Sequence, residues 1–169
     1  MFSKKGFTLI ELLIVIAIIA ILAAVAFVAL DPLTRFQDAR DSRRWSDVAA
    51  IMSAIKVDQV DNGGSYLWGI NNAADGATTV ADDEYMISNA TTTSGCNASA
   101  CSVISATNDC VNLQGLADEG YLGSLPISPN GDGSWTEALS GYYMILNSNG
   151  SITIGACEAE NTASITVTR

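Results

Sequence analysis

The sequence predicts an α+β protein: one long N-terminal α-helix packed on a small antiparallel β-sheet head. Three observations carry that prediction. Residues 12–30 form an unbroken run of nineteen apolar residues. Apolar residues then recur at helical spacing through Trp45, Val48, Met52 and Ile55, with Ile51 beside them. The C-terminal third alternates short β-prone runs with Gly, Asn, Ser and Pro clusters.

The net charge of −10 over 169 residues divides along the same lines. Residues 1–57 hold seven basic and five acidic side chains, whereas 58–169 hold thirteen acidic ones and Arg169 alone. An acidic head without a basic cluster disfavours binding to phosphate backbones, so no direct nucleic-acid partner is expected. The chain has no His, which removes the commonest general base and metal ligand. No nucleophile, base and orienting group can be assembled from what remains, so an enzyme is not expected.

The apolar run comes first. Nineteen residues of helix reach about 28 Å, close to the thickness of a bilayer core. Three readings fit that length. A cleaved secretory signal could end at the small residues Ala24-Val25-Ala26 or Ala26 to Ala29. A plain signal anchor fits as well. Neither explains Glu11, because a carboxylate inside an apolar helix costs about 3 kcal/mol even on gentle insertion scales. A Glu that snorkels to the interface near a helix end is the bland alternative.

The local string Lys4-Lys5-Gly6-Phe7-Thr8-Leu9-Ile10-Glu11-Leu12-Leu13 resembles the prepilin N-terminus of type IV pilins and type II secretion pseudopilins. The close match spans about residues 1–30, and beyond it the likeness is one of layout. The resemblance implies a basic leader over 1–6, cut after Gly6 by a membrane peptidase that also methylates the new N-terminal Phe7. It implies that the helix is retained, and that Glu11 serves assembly. The implied organisation is a leader at 1–6, a long helix over 7–61 with 7–30 as transmembrane segment and filament core, and a pilin-like head over 62–169. The implied partners are further copies or related pilin subunits, the inner membrane, prepilin peptidase/methyltransferase and a pilus assembly platform. The implied location is the bacterial inner membrane as a single-pass prepilin, then an extracellular pilus or periplasmic pseudopilus.

The chemistry of the motif can be argued on its own. A lone cation and a lone carboxylate are both costly in hydrocarbon, and side by side they offset much of that cost. An amine at Phe7 lies one helical turn from Glu11, so the two can pair within one chain. Alternatively, Glu11 meets the Phe7 amine of a neighbour, which rewards insertion in correct axial register. Loop charge is ambiguous on orientation: Lys4 and Lys5 precede the span, while Arg35, Arg40, Arg43 and Arg44 follow it. The motif and the cysteines place the head outside.

Asp31-Pro32 predicts a break or kink, since Pro removes a donor and disfavours helix in the residue before it. The helix then resumes, with Asp31/Arg35, Arg35/Asp38, Asp41/Arg44 and Arg43/Asp47 expected as exposed pairs three or four apart. Asn62-Gly63-Gly64 is a helix stop. From 7 to 61 this amounts to 55 residues, roughly 80 Å if straight.

In the head, 63–82 reads as loop with short elements around Tyr66-Leu67-Trp68, and 88–108 as an exposed polar loop. A short helix is expected over 111–119, ended by Gly120. Residues 142–147 and 151–155 form a hairpin through Ser148-Asn149-Gly150, and 163–168 a third strand. Three or four antiparallel strands on the amphipathic helix complete the architecture.

Cys96, Cys101, Cys110 and Cys157 all lie in the head, and their even number suits two disulfides in an oxidising compartment. Of three pairings, Cys96–Cys101 with Cys110–Cys157 is the preferred one. A four-Cys metal site is the rival, weakened by the wide spacing of the second pair. No cofactor is expected. Asn130-Gly131-Asp132-Gly133 offers oxygen ligands, with Asp132 a weak Ca2+ candidate, although an ordinary turn explains it as well. Asp82-Asp83-Glu84 reads as a solvated acidic patch. Asn89-Ala90-Thr91, Asn97-Ala98-Ser99 and Asn149-Gly150-Ser151 match the N-glycosylation acceptor pattern, and the Ser/Thr-rich loop could carry O-glycans.

Two classes of function follow. One is a structural subunit of a type IV pilus, serving adhesion, motility or DNA uptake, or of a secretion pseudopilus. The other is a non-polymerising, membrane-anchored binding module.

Overall fold

A computed structural model describes residues 6–65, 82, 84–89, 101–104, 110–131 and 133–169. The chain forms two compact units that divide between Phe36 and Gln37.

The first unit holds α1 (Leu9–Leu30). Thr8 caps its N-terminus, its hydroxyl accepting the Glu11 N–H. No residue of α1 is buried in the protein. A helix of Leu, Ile, Val and Ala with no buried face has no amphipathic stripe, which is the pattern of an apolar surrounding rather than of water. The helix containing it is long and apolar enough to cross a membrane. The predicted break falls at Asp31, which adopts the left-handed conformation at φ 36° and ends α1. Pro32 opens α2 (Pro32–Asp61), a position where its missing N–H and fixed φ are no handicap. The Thr34 hydroxyl donates to Asp31 Oδ2 at 2.6 Å.

The second unit, Gln37–Arg169, takes in the rest of α2. That helix stops where expected: Gly63 and Gly64 have φ of 65° and 96°, and the Gly64 N–H returns to the Gln59 carbonyl at 2.7 Å. Among the described residues the sheet has five strands rather than the three or four expected: β1 (Glu84–Ser88), β2 (Cys110–Asn112), β3 (Tyr142–Leu146), β4 (Ile152–Ala156) and β5 (Thr166–Thr168). Their order is β2-β1-β3-β4-β5. The β3–β4 hairpin matches the prediction closely, pairing Tyr142 with Ala156 through Leu146 with Ile152. The third strand is shorter than expected, and Ile165 just before it is fully buried.

Two expectations are corrected. The sheet is not wholly antiparallel, because β1 and β2 pair in parallel with Met86 opposite Cys110. A parallel pair needs a long connection, and twenty-one residues separate Ser88 from Cys110 in the sequence. The short helix is also narrower: α3 spans Gln114–Asp118, and Cys110 and Val111 go to β2 instead. Pairing with β1 outweighs the helical pattern there. Gly120 ends α3 with φ 86°, as predicted.

The two faces of the sheet follow the strand period of two. Tyr85, Ile87, Tyr142, Met144, Ile152 and Ile154 pack with Val48, Ile51, Met52, Ala54 and Ile55 of α2. Met86, Cys110 and Tyr143 form a second core with Cys101, Ile104 and Trp135. Gly155 lies opposite Tyr143, and a Cβ there would overlap its ring. Trp45, expected in the core, remains 40% exposed. The buried stripe of α2 runs through Asp41, Arg44, Asp47, Val48, Ile51, Met52, Ile55 and Asp58, so the inward position at that level belongs to Arg44.

Candidate functional site

Gly6, Phe7 and Glu11 lie together at the start of α1, and all three are exposed. The Glu11 carboxylate accepts the Thr8 N–H at 2.8 Å and the Thr8 hydroxyl at 2.7 Å. With the reciprocal bond from the Glu11 N–H to Thr8 Oγ1, this is a capping box. It satisfies two of the orphan donors of the helix and places a negative charge where the helix dipole is positive. The Phe7 nitrogen belongs to the peptide bond with Gly6, and Thr8 supplies the hydrogen bonds of Glu11.

A second constellation lies in the head. Arg44 has no exposed surface, yet every guanidinium nitrogen is engaged. Nε donates to Ser128 Oγ at 3.1 Å. Nη1 donates to Asp41 Oδ1 at 2.8 Å and Glu160 Oε1 at 2.7 Å. Nη2 donates to the Pro129 carbonyl at 3.0 Å and Glu158 Oε2 at 2.9 Å. Those bonds use the whole five-donor capacity of the side chain.

The carboxylates are held in turn. Arg40 grips Glu160 through Nε and Nη2. Asp41 accepts the backbone N–H groups of Glu160 and Asn161. Glu158 accepts the Gly133 N–H and the Trp135 indole at 3.2 Å. Arg40, with Arg44 behind it, holds the Glu160 carboxyl down at about 2, against a burial effect that opposes it. Burial pushes the Asp41 carboxyl up, but the Asn161 and Glu160 N–H groups and Arg44 hold it below its ordinary value. One turn further on, the buried Tyr142 hydroxyl donates to Asp47 Oδ2 at 2.8 Å, while Arg43 reaches Asp47 Oδ1 at 3.0 Å. Burial and then the Asp47 carboxylate push the Tyr142 phenol above its usual range. The cluster fastens the segment after β4, and the turn at Pro129, to α2.

Residues 1–27 match the prokaryotic N-terminal methylation motif family. This is the type IV pilin and pseudopilin signature. The match takes in most of α1, and the architecture behind it is pilin-like: an α+β fold with a long N-terminal helix and a mostly antiparallel sheet. No curated protein and no solved structure matches the chain.

Behind the pilin signature, the cysteine prediction is corrected. Cys101 is joined to Cys157, with 5.0 Å between their Cα atoms, which excludes both preferred pairs. The bond ties the segment before Val103 to the end of β4, and Cys157 also packs against the second core. Cys110 is disulfide-bonded too, and Cys96 lies outside the described residues. Spacing favoured the short loop, whereas the fold brings Cys101 beneath β4. Asp132 and the Tyr66-Leu67-Trp68 segment also lie outside the described residues. The rest of that turn is occupied: Asn130 Oδ1 accepts the Trp135 N–H, and Gly131 sits against Glu158, Glu160 and Arg44. Asp82 is exposed, its carboxylate accepting the Ser148 N–H at 3.0 Å, and Asp83 lies outside the described residues.

Of the expected surface pairs, Arg43–Asp47 forms. Asp41–Arg44 also forms, but buried. Asp31 and Asp38 instead accept from Thr34 and Asn161. Sequence reasoning missed the Arg44 cluster. The signal was present in Asp41, Arg44 and Asp47, which extend the buried stripe of Val48, Ile51 and Ile55 at helical spacing.

Proposed function

We propose that the protein is a structural subunit of a type IV pilus or related filament and not an enzyme. Prepilin peptidase/methyltransferase cuts after Gly6 and methylates Phe7. The mature chain then comprises the helix of 7–61, membrane-embedded over 7–30, and the head of 62–169. The observation that carries this reading is the methylation-motif match at residues 1–27, over a helix in which Glu11 is the sole charged residue and a wholly apolar span follows it.

Cleavage creates an amine at Phe7, adjacent to the Thr8 group that holds Glu11. In the subunit before assembly, Glu11 pairs within its own chain. During polymerisation it exchanges that partner for the Phe7 amine of a neighbour. The assembly platform draws subunits from the inner membrane, heads outward. The head's disulfide and polar surface favour a surface pilus for adhesion, motility or DNA uptake over a secretion pseudopilus.

Mass spectrometry of the mature N-terminus tests the processing step. The expected species begins at N-methylated Phe7. A chain beginning near Phe27 or Ala29 would establish an ordinary secretory signal and remove the filament argument.

A further inference from the structure

We propose that Asn149 is an N-glycan acceptor, taking a saccharide from a lipid-pyrophosphate donor at the tip of the β3–β4 hairpin. Asn149-Gly150-Ser151 is the one acceptor triplet that lies wholly within the described residues. Asn149 and Gly150 are exposed, on the two-ended turn between Leu146 and Ile152.

The local geometry suits the chemistry. The Ser151 hydroxyl donates to Asn149 Oδ1 at 2.8 Å, and the Ser151 N–H donates to the same oxygen at 2.9 Å. The hydroxyl is aimed by its neighbour, because Asn147 Nδ2 donates to Ser151 Oγ at 2.9 Å and occupies its acceptor side. Two donors on one amide oxygen draw electron density from the amide and make its N–H groups more acidic. Asn149 Nδ2 has no hydrogen-bond partner among the described residues, and the residue is exposed. By contrast, Asn89 Nδ2 is engaged with Glu137 Oε2 at 3.0 Å. The motif requires a hydroxyl two residues after the Asn, and here that hydroxyl contacts the Asn side chain directly.

In the reaction, Asn149 Nδ2 attacks the anomeric carbon of a saccharide linked through pyrophosphate to a lipid carrier. The N–C bond forms, and the C–O bond to the pyrophosphate breaks. The lipid pyrophosphate leaves with the electron pair, and Nδ2 gives up one proton to a base of the transferring enzyme. The Cys101–Cys157 disulfide places the head in an oxidising compartment outside the cytoplasm, where a lipid-borne donor meets it. The hairpin tip lies away from both cores, so a bulky group there displaces no packing.

The test uses the full chain purified from its native cell envelope, digested with chymotrypsin and read by mass spectrometry. Peptides containing Asn149 are expected to carry a saccharide mass that fragmentation places on Asn149. Asn149→Gln and Ser151→Ala each abolish it, whereas Ser151→Thr keeps it. Unchanged melting temperatures would show that the variants still fold. An unmodified Asn149 peptide in the wild-type protein overturns the proposal. So does a mass that survives Asn149→Gln and maps to Ser151, which would be an O-linked sugar.

Discussion

Replacing Arg44 by Met tests the buried cluster most sharply. Met keeps much of the aliphatic stem but removes five hydrogen bonds and one charge. Removing one member of a buried ion-pair network costs about 3–5 kcal/mol, because the remaining charges are left uncompensated. Here the carboxylates retain other partners: Arg40 for Glu160, two backbone N–H groups for Asp41, and Gly133 and Trp135 for Glu158. That places the cost near the lower end, about 3 kcal/mol. For a unit of this size each kcal/mol lowers the melting temperature by roughly 3–5 °C, so a fall of about 10–15 °C is expected. Arg44→Lys keeps the charge but not the five-way geometry and falls between Met and wild type. The assay is thermal unfolding of the detergent-solubilised full chain, followed by near-ultraviolet circular dichroism of the Trp135 and Tyr142 environment. A loss below about 0.5 kcal/mol in Arg44→Met, the range of ordinary surface changes, would refute the reasoning.

The same cluster predicts acid sensitivity. Glu160 has its carboxyl depressed from 4.5 to about 2, so its contribution is fully present above about pH 5 and is lost as pH falls toward 2. Glu160→Gln should flatten the decline of stability measured by denaturant titration across this window. Breaking Cys101–Cys157 by a double Ser substitution opens a loop closed over 56 residues and should cost up to about 4 kcal/mol by chain entropy, read as a lower denaturant midpoint. Trp45→Ala, by contrast, changes stability far less than Ile51→Ala, which empties a fully buried position at about 2–5 kcal/mol.

The elements fixed by local chemistry were legible in the sequence. The break at Asp31-Pro32, the stop at Gly63-Gly64 and the hairpin around Ser148-Asn149-Gly150 each depend on residues within a few positions of one another. Strand β1 was not, because Glu84–Ser88 has only three apolar residues and is set by pairing with Met144 and Cys110, far along the chain. The cap at the start of α1 is equally local, since its partners Thr8 and Glu11 stand three residues apart. The arginine cluster was hidden for the opposite reason. Asp41 and Arg44 resemble a surface i,i+3 pair until Glu158 and Glu160 arrive from more than a hundred residues downstream. Trp45 shows the same failure in reverse: an aromatic beside an apolar stripe invites burial, but the helix turns Arg44 inward instead. The cysteine pairing followed sheet topology, which spacing does not encode.

This burial of Arg44, and the pairing of Arg40 and Arg43, change how the charge division reads. Arg40 and Arg44 are committed to Glu160 and Glu158 of the head, while Arg43 pairs with Asp47 on its own helix. Arg40 and Arg44 are therefore not free to meet the acidic surface of a neighbour, and under the proposed filament reading assembly is expected to rest on the apolar span and Glu11.

Electron microscopy of sheared surface fractions from cells carrying Glu11→Ala tests that central claim most directly. The variant is expected to insert in the membrane at wild-type levels and to form no filaments. Filaments of normal number and length, built from the Glu11→Ala subunit, would contradict it.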